Sequence, residues 1–283
     1  MEKPTAQEIE IKTSFNKYAA KVWGNKKGIP TLALHGWLDN AATFDRLAPL
    51  LPDLYLVALD FPGHGFSAHR PRGIKYHYLD YAEDVIKAVD ALGWKRFNLL
   101  GHSLGAGVAT IVAGAFPDRI EKLVLIEGLG PMTRDPKNSH QYLNRSITQM
   151  KKITDLKPPL YENIEEMVEI RSRVGDMSNE SVRLLIERGV IELENGITWR
   201  SDPRLKIASP SYLTEEQVYS YLENIIAPTL LITAESGLLT DRAYLESRCA
   251  KVRSLKKTTL PGGHHLHLDH PEKIHGIISE FLK

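Results

Sequence analysis

Gly101-His102-Ser103-Leu104-Gly105 sets a serine between two glycines, after the apolar run Phe97-Asn98-Leu99-Leu100 and at the start of a helix-patterned segment, Ser103 to Ala115. A strand turning sharply into a helix presents such a serine at the tip of the turn. Its hydroxyl is then exposed and its backbone sits at the positive end of the helix dipole. Glycines are needed on both sides because side chains there would collide with the neighbouring strand and helix. This is how a nucleophile for acyl transfer is built, and it requires a base, an acid to orient the base, and N–H donors for the oxyanion. The run from Gly262 to Pro271 supplies the base: it holds His264, His265, His267 and His270 just before the last helical segment. His35-Gly36-Trp37 directly follows the strand-like Thr31 to Leu34. The N–H groups of Trp37 and Leu104 are therefore the expected oxyanion donors. His35, Gly36, Trp37 and His102 become candidates for the substrate-binding wall.

Two other chemistries are weaker readings. Four histidines so close together invite a metal site, but no cysteine or clustered carboxylate beside them completes a shell, so no metal and no cofactor are expected. Asp60 to Ser67 is glycine-rich yet lacks the lysine and the spacing of a phosphate loop. It reads as a structural turn shaped by Pro62, Gly63 and Gly65.

The elements that must position these residues alternate along the chain. Thr31–Leu34, Leu54–Leu59, Phe97–Leu100, Leu123–Ile126 and Thr229–Thr233 are short apolar runs, as in buried strands of a parallel sheet. Tyr78–Leu92 and Ser103–Ala115 have helical spacing between them. Glu8–Ser14 and Tyr18–Trp23 alternate and flank a turn at Asn16, which predicts an antiparallel edge. The pattern is that of an α/β doubly wound sheet. From Pro131 to Leu222 strand-like runs vanish, and helical, charged segments such as Tyr161–Arg173 and Ser178–Glu194 take over. We read 1–130 and 223–283 as the core and 131–222 as a helical cap, or lid, over the strand ends. Tyr142, Met150, Tyr161, Met167, Met177, Trp199 and Tyr212 would line an acyl pocket or form the cap's own core.

Composition narrows the rest. The chain has 283 residues, 42% hydrophobic and 25% charged, with a formal net charge of +1. These are ordinary globular values, with no broad basic footprint for nucleic acid. A single cysteine, Cys249, excludes an internal disulfide framework. Met1 to Lys12 lacks the apolar stretch of a secretory signal, no run approaches a membrane span, and Phe281-Leu282-Lys283 is not a peroxisomal tripeptide. A cytoplasmic monomer or homodimer acting on a small molecule is expected.

His35-Gly36, Asp60-Phe61-Pro62-Gly63-His64-Gly65-Phe66-Ser67, the Ser103 turn and Gly263-His264-x-x-His267-x-Asp269-x-Pro271, in this order, resemble the α/β-hydrolase superfamily. His35-Gly36-Trp37-Leu38-Asp39-Asn40-Ala41 with Phe44-Asp45 is similar to the serine hydrolase-like proteins of animals, including the insect kraken type. The resemblance covers about residues 8–130 and 227–283. It implies the α/β-hydrolase fold, a mostly parallel eight-stranded sheet flanked by helices, with the cap inserted after strand 6. It also places the base on His264, directly after a glycine and seven before Pro271. The superfamily's usual acid, past the strand ending at Ala234, falls here on Gly237, so the expected carboxylate is missing. Glu127 is the substitute, since some relatives carry their acid after this earlier strand. Glu235 and Asp241 are the alternatives. The expected reaction is cleavage of a carboxylic ester or thioester by a Ser-His-Glu triad. The alternatives are a non-catalytic homologue binding a small ligand, and C–C or amide hydrolysis by the same triad.

Overall fold

The computed structural model describes residues 6–14, 16–153, 159–239 and 241–283. Residues 1–5 of the expected core and 154–158 of the expected cap lie outside these. In chain order the elements are β1 (Gln7–Lys12), β2 (Lys17–Trp23), β3 (Ile29–Leu34), β4 (Leu54–Leu59), α1 (Tyr78–Ala91), β5 (Phe97–His102), α2 (Leu104–Ala115) and β6 (Ile120–Ile126). There follow α3 (Ser139–Ile153), α4 (Ile164–Ser172), α5 (Asn179–Gly189), β7 (Val190–Leu193), β8 (Gly196–Trp199) and α6 (Glu215–Glu223). The chain then closes with β9 (Thr229–Ser236), α7 (Arg242–Cys249), β10 (Leu255–Gly263), α8 (Leu266–Asp269) and α9 (Pro271–Leu282). Among the described residues, no helix is long and apolar enough to cross a membrane.

Eight strands form one sheet in the order β1-β2-β4-β3-β5-β6-β9-β10. As the alternating N-terminal segments predict, β1 pairs antiparallel with β2, and β2 with β4; all other pairs are parallel. Successive side chains of the central strands enter opposite layers. Leu99, Leu123 and Leu231 pack with Val85, Val89, Val108 and Val112 of α1 and α2. Leu100, Val124 and Ile232 pack with Ile274, Ile278 and Leu282 of α9. With both faces covered, these runs are continuously apolar, and each fully buried Leu, Ile or Val contributes about 1.5–3 kcal/mol. The chain builds outward from β3 toward β4 on one side and from β5 toward β10 on the other. A crevice therefore opens at the carboxyl ends of β3 and β5, where ligands bind in such sheets.

The Asp60 turn locks the front of this edge. Asp60 Oδ1 accepts from Ala41 N (2.7 Å) and Oδ2 from Phe66 N (2.8 Å). A Cβ on Gly65 would overlap that carboxylate.

Between β6 and β9 the chain differs from its helical expectation in one respect. The helix predicted to Glu194 stops at Gly189, and β7 and β8 form an antiparallel hairpin. Asn195-Gly196 is its turn, and Gly196 has φ +138° with no room for a Cβ against the Tyr161 carbonyl. Met167, Met177, Val182, Leu185 and Ile186 of this insert form a cluster with Ala42 and Leu268 of the main body, with Tyr161 and Trp199 against it. Tyr142 packs edge-on to Tyr212. α6 instead buries Val218 and Leu222 in the main core beside α2.

The insert's helices are held unequally. Arg188 of α5 is buried, reaching Asp60 with Nη1 (2.6 and 2.7 Å) and Glu8 with Nε and Nη2 (2.9 Å each), its guanidinium over Phe66. Asn40 Nδ2 donates to Leu185 O (2.9 Å). α3 buries only Ser146. Its ties include Lys75 Nζ to Ser146 Oγ (2.6 Å), Ala208 N to Gln149 Oε1 (2.7 Å) and the Tyr142–Tyr212 ring contact.

Candidate active site

Ser103 joins β5 to α2 with φ +53° and ψ −113°, a conformation that non-glycine residues avoid. Two glycines make the turn possible. A Cβ on Gly101 would lie 2.5 Å from Gly105 O, and one on Gly105 would lie 2.8 Å from His35 O and nearer still to the Leu34 carbonyl of β3. Ser103 N donates to Ile126 O (2.9 Å), pinning the turn to β6. Leu104 is the first residue of α2, so its N–H has no partner within the helix and is free to meet an anion.

The loop after β3 folds against this turn. A Cβ on Gly36 would lie 2.8 Å from Asp39 Oδ2 and 3.0 Å from His102 Nδ1. Trp37 is half exposed, and its ring N–H donates to Leu205 O of the insert (3.0 Å), so the ring bridges loop and insert. His35 and His102 are fully buried and engaged with backbone. Phe61 N donates to His35 Nε2 (3.0 Å), which leaves His35 Nδ1–H to donate to Gly36 O (2.7 Å). His102 Nε2–H donates to His264 O (3.0 Å), joining the serine turn to the histidine loop. Burial lowers the pKa of both rings and keeps them neutral.

His264 follows β10. Its N–H donates to the Asp176 carboxylate, and its Nδ1 lies 3.1 Å from Glu127 Oε2. A carboxylate partner fixes the proton on Nδ1 and leaves Nε2 as the lone pair a base needs. Glu127 is buried directly after β6 with φ +52°. Its carboxylate also accepts from Ala234 N (2.6 Å) and Leu238 N (2.8 Å), both in the segment that ends β9. The Ser103 hydroxyl makes no hydrogen bond with another described residue; in ligand-free enzymes this bond is often long and tightens with substrate.

The other two acid candidates lie elsewhere. Glu235 is exposed, and Asp241 caps α7 by accepting from Tyr244 N (3.1 Å). At Gly237, where the resemblance expects an acid, a Cβ would sit 2.6 Å from Glu127 Oε1 and nearer still to Oε2. A side chain there would occupy the space of the Glu127 carboxylate.

Around this constellation lies an ionic cluster that sequence spacing does not announce. His265 is held between Asp39 (Nε2 to Oδ2, 3.4 Å) and Asp176 (Nδ1 to Oδ1, 3.2 Å). Burial alone would lower its pKa, but both carboxylates outweigh that and raise it to about 9. Asp176, hydrogen-bonded by His265, falls to about 2 against the cost of burial. Asp39 also takes Arg171 Nη2 on Oδ1 (2.7 Å). Burial opposes its ionisation, but His265 and Arg171 lower its pKa well below the usual carboxylate range. His267 packs on His102 with ring centres 4.0 Å apart, hydrogen-bonds Thr43 (2.8 Å), and is kept neutral by burial. Arg171 and Asp176 belong to the insert, and nothing local in the sequence links them to His265.

Comparison with known proteins agrees with this architecture. Residues 30–152 match the alpha/beta hydrolase fold family. The chain is 33% identical to a serine hydrolase-like protein of Danio rerio, over 98% of this chain and 89% of that one. It is 34% identical to a probable serine hydrolase of Drosophila melanogaster, over 98% and 88%. The crystal structure of a hypothetical protein of Pseudomonas aeruginosa PAO1 is similar with a TM-score of 0.93 and 41% identity, over 97% of this chain and 99% of that one. By fold and near-full-length likeness, the chain belongs to the serine hydrolase-like proteins of the alpha/beta hydrolase fold.

Proposed function

We propose that this protein is a serine esterase or thioesterase that works through an acyl-enzyme. The observation that carries the reading is the Glu127–His264 hydrogen bond, formed on the loop that His102 ties to the Ser103 turn. In the first half-reaction Ser103 Oγ attacks the acyl carbon while His264 Nε2 takes its proton. The carbonyl oxygen becomes an oxyanion held by the Trp37 and Leu104 N–H groups. His264 then protonates the departing alcohol or thiol, and the acyl group stays on Ser103. In the second half a water loses its proton to His264, attacks the acyl-serine, and releases the acid while Ser103 recovers its proton. Glu127 stabilises the imidazolium in both halves. No cofactor takes part in these steps. The insert serves as the cap, with Trp37 closing its contact with the core, and the substrate is a small molecule. Amide or C–C cleavage would use the same residues on another acyl donor.

A fluorophosphonate probe, read by mass of the modified peptide, tests this. Labelling at Ser103 that disappears in Ser103→Ala, with hydrolysis of ester or thioester substrates also lost, is the expected result. No labelling of folded protein would overturn it in favour of a non-catalytic ligand-binding homologue. Hydrolysis that persists in Ser103→Ala would also overturn it.

A further inference from the structure

We propose that Asp39, His102 and His265 form a binding site for one divalent transition-metal cation of the zinc class. The ligand atoms are Asp39 Oδ2, His102 Nδ1 and His265 Nε2, which all lie within 4.8 Å of one another. His102 Nε2 can only donate to the His264 carbonyl, so the ring's Nδ1 carries the lone pair. That lone pair faces Asp39 Oδ2 at 3.9 Å. Both atoms are buried; His102 Nδ1 has no hydrogen-bond partner among the described residues, and Asp39 Oδ2 is met only by the His265 ion pair at 3.4 Å. The ion pairs with His265 and Arg171 account for the charge of Asp39. They leave the His102 Nδ1 lone pair unpartnered and facing an anionic oxygen, an arrangement that calls for a cation or a donor between them.

The surroundings are those of a metal site. Histidine ligands usually give their second ring N–H to a carbonyl or carboxylate. Here His102 gives its own to His264 O, and His265 Nδ1 is held by Asp176 Oδ1. Arg171 holds the other oxygen of Asp39. Metal–ligand bonds of about 2.0–2.1 Å in a tetrahedron put ligand atoms about 3.3–3.4 Å apart. The Asp39–His265 pair is already at 3.4 Å, and the Asp39–His102 pair needs to close by roughly half an ångström. Two imidazoles and one carboxylate suit zinc, cobalt or nickel rather than magnesium or calcium, and the fourth position is left to water. Binding releases the His265 proton to solvent. The three ligands come from the loop after β3, the end of β5 and the histidine loop, with Arg171 and Asp176 reaching in from the insert. A bound metal would fasten insert and core together. None of this depends on Ser103 being a nucleophile.

The test is titration of chelator-treated full-length protein with Co²⁺, followed by visible absorption, with Zn²⁺ as competitor and thermal melting in parallel. One equivalent with the intense bands of tetrahedral Co²⁺, displaced by Zn²⁺, and a melting temperature raised by Zn²⁺ but not by Mg²⁺ are expected. His265→Gln should abolish the bands. Asp176→Asn keeps an acceptor for His265 and should weaken binding about tenfold or more, which tests the site if His265→Gln fails to fold. No tetrahedral band would overturn the proposal and assign the gap to solvent. Unchanged affinity in the folded variants would also overturn it, assigning uptake to surface imidazoles.

Discussion

Glu127 and Gly237 share one volume: the carboxylate that leaves the end of β6 fills the space a side chain at the end of β9 would need. The absent acid at Gly237 and the buried one at Glu127 are two sides of a single arrangement. Gly237→Ala should therefore displace the carboxylate from the Ala234 and Leu238 amides. Hydrogen bonds of this charged kind contribute about 1.5–3 kcal/mol each, so both stability and turnover should fall. The reciprocal change, Glu127→Gly with Gly237→Asp, moves the acid to the other strand and gives the φ +52° position a residue suited to it. We expect the double variant to recover turnover that Glu127→Gly alone loses. Equal activities would show that the two positions do not serve one site.

The acid assignment has a simpler check. Glu127→Gln should lower kcat by roughly 10³- to 10⁴-fold, the scale on which a serine protease falls when its acid is neutralised. Glu235→Gln, on an exposed carboxylate, should leave ester turnover within about twofold. The opposite ranking in steady-state assays would refute the Ser103–His264–Glu127 reading.

Ser103 holds a backbone conformation that costs about 1–3 kcal/mol for a residue with a Cβ. Ser103→Gly releases that strain at some cost in chain entropy, and should raise the unfolding free energy read from urea titration by about 1 kcal/mol while abolishing turnover. Ser103→Ala keeps the strain and should stay near the parent. Equal stability of the two variants would mean that the turn stores no strain.

Acid should unfold the protein through its buried neutral histidines: His102 and His267 beside the site, and His35 and His64, two fully buried rings 4.9 Å apart. Burial lowers the pKa of each, His64 to about 3. In the unfolded chain such rings titrate near 6.5, so below that pH the unfolded state binds protons that the native state refuses. The contribution of His35 and His64 is therefore complete above about pH 6.5 and is lost as pH falls toward 3, by up to about 1.4 kcal/mol per pH unit for each ring. Denaturant midpoints at pH about 7 and about 5.5 should show this slope, and His64→Gln should flatten it. A slope unchanged by that substitution would remove His64 as a cause.

The parts of the site legible in the sequence are those built by neighbours. The Ser103 turn follows from a strand period giving way to a helix period across two glycines. Glu127 stands directly after the apolar run of β6, and the likeness to the superfamily singles out His264 within the histidine run, after a strand the apolar pattern does not show. What was not legible depends on distant pairing. The carboxylate missing from the histidine run comes from Asp39, and Asp176 and Arg171 arrive from the insert. β10 escaped because Leu255 to Gly263 is an edge strand with largely exposed lysine and threonine side chains in place of an apolar run. The β7–β8 hairpin carried its signal in Asn195-Gly196, masked by helical spacing that runs past Gly189.

The unequal anchoring of the insert has a kinetic consequence. Arg188 cannot leave Asp60 without stranding a buried charge, a loss of about 3–5 kcal/mol, whereas α3 buries only Ser146 and has no buried ion pair among the described residues to break. The amides of α3 should therefore exchange with deuterium well before those of α5.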